Sequence, residues 1–170
     1  MKMKSFIKLS LVSLMAVVLL GGCKKDGDGG GGGPQGSGTG TFIYDGDTFE
    51  VNRGTLKFYG DIYDETLNNF DIELYKSGMS GEPCIYFEIL TSANELAAGT
   101  YTYKSSLPYQ SGTFISGTLG TGSTGADIGG GTLTIAKTGD TYTISYNCTT
   151  YGGPVTGSYT GTLKYSDKSD

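Results

Sequence analysis

The chain has no histidine and no tryptophan among its 170 residues. Histidine is the commonest general base and the commonest transition-metal ligand in proteins, so its absence removes the usual basis for both kinds of site. It also excludes a cysteine–histidine catalytic pair, although three cysteines are present. The composition therefore predicts a protein that is not an enzyme and carries no metal and no dissociable cofactor.

Positive charge is also scarce. The chain has 12 basic residues against 17 acidic ones, a formal net charge of −5. Removal of residues 1–22 would take three lysines and no acid, which leaves a net charge of −8. Such a chain lacks the basic surface that nucleic acid requires, and it is poorly suited to anionic lipid headgroups. We therefore expect no nucleic-acid partner and no membrane contact other than through a covalent anchor.

The first 22 residues have the layout of a secretory signal. Lys2, Lys4 and Lys8 precede the apolar run LSLVSLMAVVLL, and Gly21 and Gly22 follow it. The run is short for a membrane span, and the order of basic, apolar and small residues is typical of a cleaved signal peptide. Residues 1–22 are therefore predicted to be absent from the mature protein.

The sequence LGGC at the end of this signal resembles the lipobox of bacterial lipoproteins. The resemblance implies cleavage before Cys23 and a thioether-linked diacylglycerol on that residue, usually with a third acyl chain on the new amino terminus. Two or more acyl chains hold a protein stably to a bilayer. The lipid on Cys23 is the expected membrane attachment.

Residues 23–40 are predicted to be the lipidated cysteine and a disordered tether. More than half of KKDGDGGGGGPQGSGTG is glycine, and none of it is a large apolar residue that could offset the entropy of ordering. A phosphate-binding loop would need a preceding strand and a following Lys-Ser/Thr. The charged start KKDGD resembles the export signal of lipoproteins on the outer face of the outer membrane in Bacteroidetes. A periplasm-facing anchor is the alternative.

The remaining residues, 41–170, are predicted to be a single all-β domain. Large side chains alternate with small or polar ones in GTFIY, GTLKF, GTYTY, GTLTI and GTLKY, which begin at residues 40, 54, 99, 131 and 161. In DTYTISYNC the same alternation places Tyr142, Ile144, Tyr146 and Cys148 on one face. This period of two is typical of strands with one buried face, and no segment of helical length has the helical period.

About eight to ten short strands with short connections predict an antiparallel meander, because parallel pairs need long crossovers. Two architectures fit: a small barrel, lipocalin-like in size, or a two-sheet sandwich. Short hairpin connections favour the barrel.

The segment GGGTLTIAKTGDTYTISYNCTTYGGPVTGSYTGTLKYSD, together with ELAAGTYTY upstream, is similar to a set of small uncharacterised lipoproteins from Bacteroidetes. The similarity covers about the last 75 residues well and the earlier strands loosely. It implies an all-β surface domain and brings no activity and no catalytic residue.

Two groups of residues are candidates for special roles. Cys84 and Cys148 are the thiols left once Cys23 is acylated. Export to an oxidising compartment favours a disulfide between them. The alternation of their strands, however, points the two side chains to opposite faces, which favours two separate small apolar side chains.

Five tyrosines are candidates for contacting a ligand, either as an exposed aromatic patch or as parts of the core and its rim: Tyr101, Tyr103, Tyr109, Tyr151 and Tyr159.

Two hypotheses for function follow from these features. The first is a non-catalytic binding module, displayed on the cell surface, for a glycan, a peptide or a small apolar ligand. The second is a structural or assembly component of the envelope that acts through protein contacts. A lipid anchor, a compact β domain and small-residue loops suit both.

Overall fold

The computed structural model describes residues 36–76 and 81–169. The signal peptide, Cys23 and the tether as far as residue 35 lie outside the described residues, so their assignments stay predictions. Within the described ranges, no helix is long and apolar enough to cross a membrane.

Ten strands account for most of the described chain. In order they are β1 (Ser37–Tyr44), β2 (Asp47–Asp64), β3 (Leu67–Tyr75), β4 (Cys84–Thr91), β5 (Gly99–Tyr103), β6 (Thr113–Gly120), β7 (Gly125–Thr138), β8 (Thr141–Thr150), β9 (Gly153–Gly161) and β10 (Lys164–Asp167).

The strands form one sheet that closes on itself. Their order is β1-β9-β8-β7-β5-β6-β4-β3-β2-β10, and a further pairing of β1 with β2 closes the barrel. The first nine strands make the barrel, and β10 is an extra strand beside β2. The prediction of a small all-β barrel is confirmed, and the sandwich alternative is not adopted because closure leaves a single continuous sheet.

Two parallel pairs depart from the predicted antiparallel meander. β5 runs parallel to β6, and β10 runs parallel to β2. The first pair has a geometric reason: a closed ring with an odd number of strands cannot alternate direction throughout. The connection of residues 104–112 between β5 and β6 supplies the return that a parallel pair needs.

Aromatic rings from opposite walls meet in the barrel interior. Phe87 on β4 lies 5.3 Å, centroid to centroid, from Tyr146 on β8 and 5.6 Å from Phe114 on β6. All three side chains are buried. Because β4 and β8 lie on opposite sides of the ring of strands, the interior at this level is filled by side chains.

The predicted boundary between tether and domain at residue 41 is wrong by four residues. β1 begins at Ser37 and pairs with β9, with Gly38 opposite Gly161 and Gly40 opposite Tyr159. A Cβ on Gly38 would lie 2.6 Å from Cζ of Tyr159, so this position accepts no side chain. Gly38 and Gly40, which the sequence assigned to the tether, are instead required by close packing against Tyr159 and its neighbours on β9.

The disulfide left open between Cys84 and Cys148 is not formed. Cys148 is a free thiol, fully buried among the inward side chains of β8. Burial raises the pKa of this thiol to about 11. Its inward position agrees with the alternation predicted for DTYTISYNC, and it packs there as a small apolar residue.

Candidate functional site

A cleft of about 340 Å³ lies at the end of the barrel where β4 and β7 end and where β5 and β8 begin. We call this the cleft end, and the end with the β8–β9 turn the far end. The cleft is lined by Leu56, Phe70, Asn94, Glu95, Leu96, Lys137, Asp140, Tyr142, Thr162, Leu163 and Tyr165.

The floor of the cleft is apolar because core side chains reach it. Leu56 on β2 and Phe70 on β3 are buried inward-facing residues near this end. Leu96 lies in the connection of residues 92–98 and is only 3% exposed, so the connection folds over the barrel end and contributes a third apolar group. The filled interior beneath these residues means that the cleft is shallow and does not continue into a lumen.

Two hydrogen bonds hold the connection of residues 92–98 in place. Asn68 Nδ2 donates to the carbonyl oxygen of Ala93 at 3.0 Å, and the hydroxyl of Tyr101 donates to the carbonyl oxygen of Ala97 at 2.7 Å. Tyr101 itself lies in β5 and is buried. The connection, and Leu96 with it, is therefore fixed from both sides.

Charged groups surround the mouth of the cleft. Lys137 Nζ lies 3.6 Å from Glu95 Oε2 and 5.3 Å from the centroid of the Tyr142 ring. The hydrogen bond with Tyr142 raises the pKa of Lys137. With Asp140 the rim carries two carboxylates and one ammonium, so a ligand meets a slightly negative mouth above an apolar floor.

Tyr165 forms one wall of the cleft and remains accessible. It lies on β10 opposite Leu56 of β2, and 56% of its surface is exposed. The ring of Tyr142, in contrast, is 8% exposed and lies under Lys137. Tyr165 is therefore the aromatic ring of the cleft that is available for stacking against a ligand.

The five tyrosines singled out from the sequence do not form one surface. Tyr101 and Tyr159 are buried in the core, and Tyr103 packs against the core from its edge. Tyr109 packs on the outside of the barrel, and Tyr151 is fully exposed at the far end. None of the five lines the cleft.

Sequence reasoning missed Tyr165 and Leu96 as site residues. The alternation of GTLKY predicts an inward position for Tyr165, but β10 lies beside the closed barrel and leaves the ring exposed. Leu96 lay in SANELAA, which gave no strand pattern. The available signal is that Leu96 is the single large apolar residue in a connection of small and polar residues.

A second apolar cluster covers part of the outer wall. Leu67, Leu90 and Ile115 are buried on the outside of β3, β4 and β6, and Tyr109 packs against them. Tyr109 belongs to residues 104–112, the β5–β6 connection, which we call the strap. Its ring contacts that of Tyr63 edge-on, with 5.3 Å between centroids.

Beside this cluster, two carboxyl groups face each other across neighbouring strands. Asp71 on β3 pairs with Glu88 on β4 in the antiparallel register. Burial raises the pKa of Asp71 to about 7. The sequence offered only a weak signal for this pair, namely a charged residue in the middle of each apolar strand.

Among residues 36–76 and 81–169, no group of three or more Asp, Glu, Cys or His is placed to hold a metal ion.

Comparison with known proteins adds no functional assignment. No family model, no curated protein and no solved structure matches the chain. The class that the fold defines is a small closed β-barrel with a filled interior, and the case for function depends on the chemistry of its surface.

Proposed function

We propose that the domain is a non-catalytic binding module, held at the outer membrane by a lipid on Cys23 and facing the cell exterior, that takes a small ligand in the cleft at the barrel end. The observation that carries this proposal is the cleft itself. Its volume of about 340 Å³ lies at the lower end of the range of roughly 300–1,000 Å³ that is usual for small-molecule sites.

The chemistry of the cleft favours one kind of ligand among those considered. Leu56, Phe70 and Leu96 offer an apolar floor, which suits an apolar body and gives little to a wholly polar one. The two carboxylates and one ammonium at the rim suit a head group that is neutral or cationic. The ligand is therefore a small amphipathic molecule, and a sugar would depend on stacking against Tyr165.

The proposal is tested by screening the purified full chain against a library of amphipathic metabolites and glycans, with thermal shift as the readout. Compounds that raise the melting temperature are then titrated by calorimetry against wild type and Tyr165→Ala. We expect Tyr165→Ala to weaken binding by about five- to tenfold, since stacking on an aromatic ring contributes about 1–1.4 kcal/mol.

The chain offers a matched control. Tyr151 is also an exposed tyrosine, but it lies at the far end of the barrel. Tyr151→Ala should leave affinity unchanged. Equal losses in both variants would contradict the cleft as the site, and a library without a single stabilising compound would count against the binding module.

The second candidate function is that of a structural or assembly component. It is supported by exposed apolar residues on the outside of the barrel. Leu107 in the strap is 77% exposed, and Ile62 in β2 is 57% exposed. A partner that covers both side chains would remove this apolar surface from water, which favours association. Crosslinking in living cells through a photoreactive residue at position 107 tests this function, and recovery of no stoichiometric partner contradicts it.

A further inference from the structure

The carboxyl group of Asp71 is held in surroundings that disfavour its charge. Asp71 is mostly buried on the outer wall, and its Oδ1 atom is inaccessible to solvent and receives no hydrogen bond from any described residue. An anionic oxygen without a donor or water is costly, whereas a neutral carboxyl group is much less so. The buried, unpaired Oδ1 is therefore the feature of this geometry that favours the protonated form.

The register places a second carboxylate next to this group. Glu88 is the direct cross-strand neighbour of Asp71 on one side, and Lys57 is its neighbour on the other. Like charges directly opposite each other destabilise a strand pair. Hydrogen bonds with Tyr86 and Tyr59 and the charge of Lys57 lower the pKa of Asp71, but burial outweighs them and the net result is a pKa of about 7.

The two strands that flank Asp71, and the strap beyond them, contribute groups that can titrate or carry charge. Those that face it or its carboxylate neighbour are Lys57, Tyr59 and Tyr63 from β2, Tyr86 and Glu88 from β4, and Tyr109 from the strap. Burial and the neighbouring carboxylates raise the pKa values of Tyr63 and Tyr86, so these hydroxyls stay neutral in the physiological range. The pKa of Asp71, raised to about 7, places its change of charge near neutral pH.

Glu88 connects the carboxyl pair to the two outer segments. The hydroxyl of Tyr63, near the β2–β3 hairpin, donates to Glu88 Oε1, and Asn69 Nδ2 donates to the same oxygen at 3.2 Å. The Tyr63 ring then contacts Tyr109 of the strap. A change in the charge opposite Glu88 therefore acts on the group that holds Tyr63, and through the Tyr63 ring on the strap.

We propose that Asp71 and Glu88 form a proton-operated clasp, in which a proton on Asp71 keeps the β2–β3 hairpin and the strap closed against the barrel and loss of that proton loosens them. The clasp is a conformational device of the fold, and it does not depend on the ligand proposed for the cleft.

The direction of the pH dependence follows from linkage. The folded protein binds a proton at Asp71 that the unfolded chain releases near pH 3.9, the ordinary value for aspartate. This contribution to stability is complete below that pH, and it is lost as pH rises through about 7. Because the chain contains no histidine, no side chain has its ordinary pKa between 5 and 8, and a change in this window is readily assigned.

The experiment measures urea unfolding of the full chain by far-ultraviolet circular dichroism at pH 5, 6, 7 and 8. We expect the folding equilibrium constant of wild type to fall on the order of tenfold from pH 5 to pH 8; the full effect of the shift is larger and is reduced by partial solvent access. Asp71→Asn should flatten this dependence. Asp140→Asn, an exposed aspartate at the cleft rim, should keep it.

Two further measurements distinguish local opening of the clasp from global unfolding of the domain. Carbon-13 NMR should give the Asp71 carboxyl an apparent pKa near 7 in wild type, and hydrogen exchange in the strap should accelerate at least several-fold from pH 6 to pH 8 beyond the intrinsic rate. Amides of β8 should show no such excess. An Asp71 that titrates near pH 4, or a dependence that is unchanged in Asp71→Asn, would overturn the proposal; so would a strap whose excess exchange is independent of pH.

Discussion

Gly38→Ala tests whether residues 37–40 belong to the barrel or to the tether. A Cβ at this position would lie 2.6 Å from Cζ and 2.7 Å from the hydroxyl of Tyr159, and closer still to the backbone oxygen of Thr160. The Tyr159 ring cannot move aside easily, because it is fully buried and its hydroxyl donates to the carbonyl oxygen of Thr162 at 2.9 Å. The added methyl group therefore forces β1 away from β9.

Overpacking of this kind costs about 1–3 kcal/mol. Replacing glycine by alanine also stabilises by about 0.4–1 kcal/mol through the unfolded chain, which reduces the net effect. We expect Gly38→Ala to lower the free energy of unfolding by about 1.3 kcal/mol, the difference between the midpoints of these two ranges. Urea unfolding followed by far-ultraviolet circular dichroism measures this change directly.

Gly129→Ala is the matched control for this prediction. Gly129 also lies in a strand, and a Cβ there would meet no atom within 4 Å. It should therefore be neutral or slightly stabilising. If Gly38→Ala and Gly129→Ala have the same stability, residues 37–40 do not pack against Tyr159 and the reasoning is refuted.

Three other predictions concern the core, the free thiol and the anchor. Phe87→Ala removes a fully buried ring that reaches across the barrel and should lower the free energy of unfolding by about 3–5 kcal/mol, measured by urea titration; a loss below about 1 kcal/mol would show that the interior is not filled. Cys148 should react with a thiol reagent only after unfolding, because its thiol is buried and its pKa is raised to about 11, and rapid labelling at pH 8 in native buffer would contradict its placement. Cys23→Ala should abolish incorporation of radiolabelled palmitate in cells and release the protein from the membrane fraction, whereas retained label would refute lipidation at this residue.

The alternation of large and small residues predicted the barrel wall well. In DTYTISYNC the four residues expected on one face are all buried in β8. The prediction succeeded because a strand with one buried face must alternate, whatever its partners are. In GTLKY the same pattern misled, because Tyr165 belongs to a strand outside the closed ring.

The features that sequence reasoning missed depend on distant partners. Nothing local to β5 shows that it runs parallel to β6, because the direction follows from closing a ring of nine strands. Gly38 looks like tether sequence until Tyr159, more than a hundred residues away, is placed against it. Asp71 and Glu88 look like ordinary polar positions until the register puts them opposite each other.

The separation of cleft and clasp gives the two proposals different consequences. The residues of the cleft lie at the barrel end, whereas Asp71 and Glu88 lie on the outer wall. Neither Asp71 nor Glu88 lines the cleft. Asp71→Asn should therefore change the pH dependence of stability without removing the cleft's apolar floor. Tyr165→Ala should leave the pH dependence of stability as it is in wild type.

The most direct test of the binding proposal is an NMR titration of the full chain, labelled with nitrogen-15, with the best compound from the thermal-shift screen. We expect the largest amide shifts on Leu96, Leu163 and Tyr165 at the cleft end, and no change at Phe87 in the filled interior or at Tyr151 at the far end. Shifts centred on Phe87 would mean that the barrel opens to hold ligand, and shifts centred on Tyr151 would place the site at the far end. Either result would rule out the cleft as the binding site.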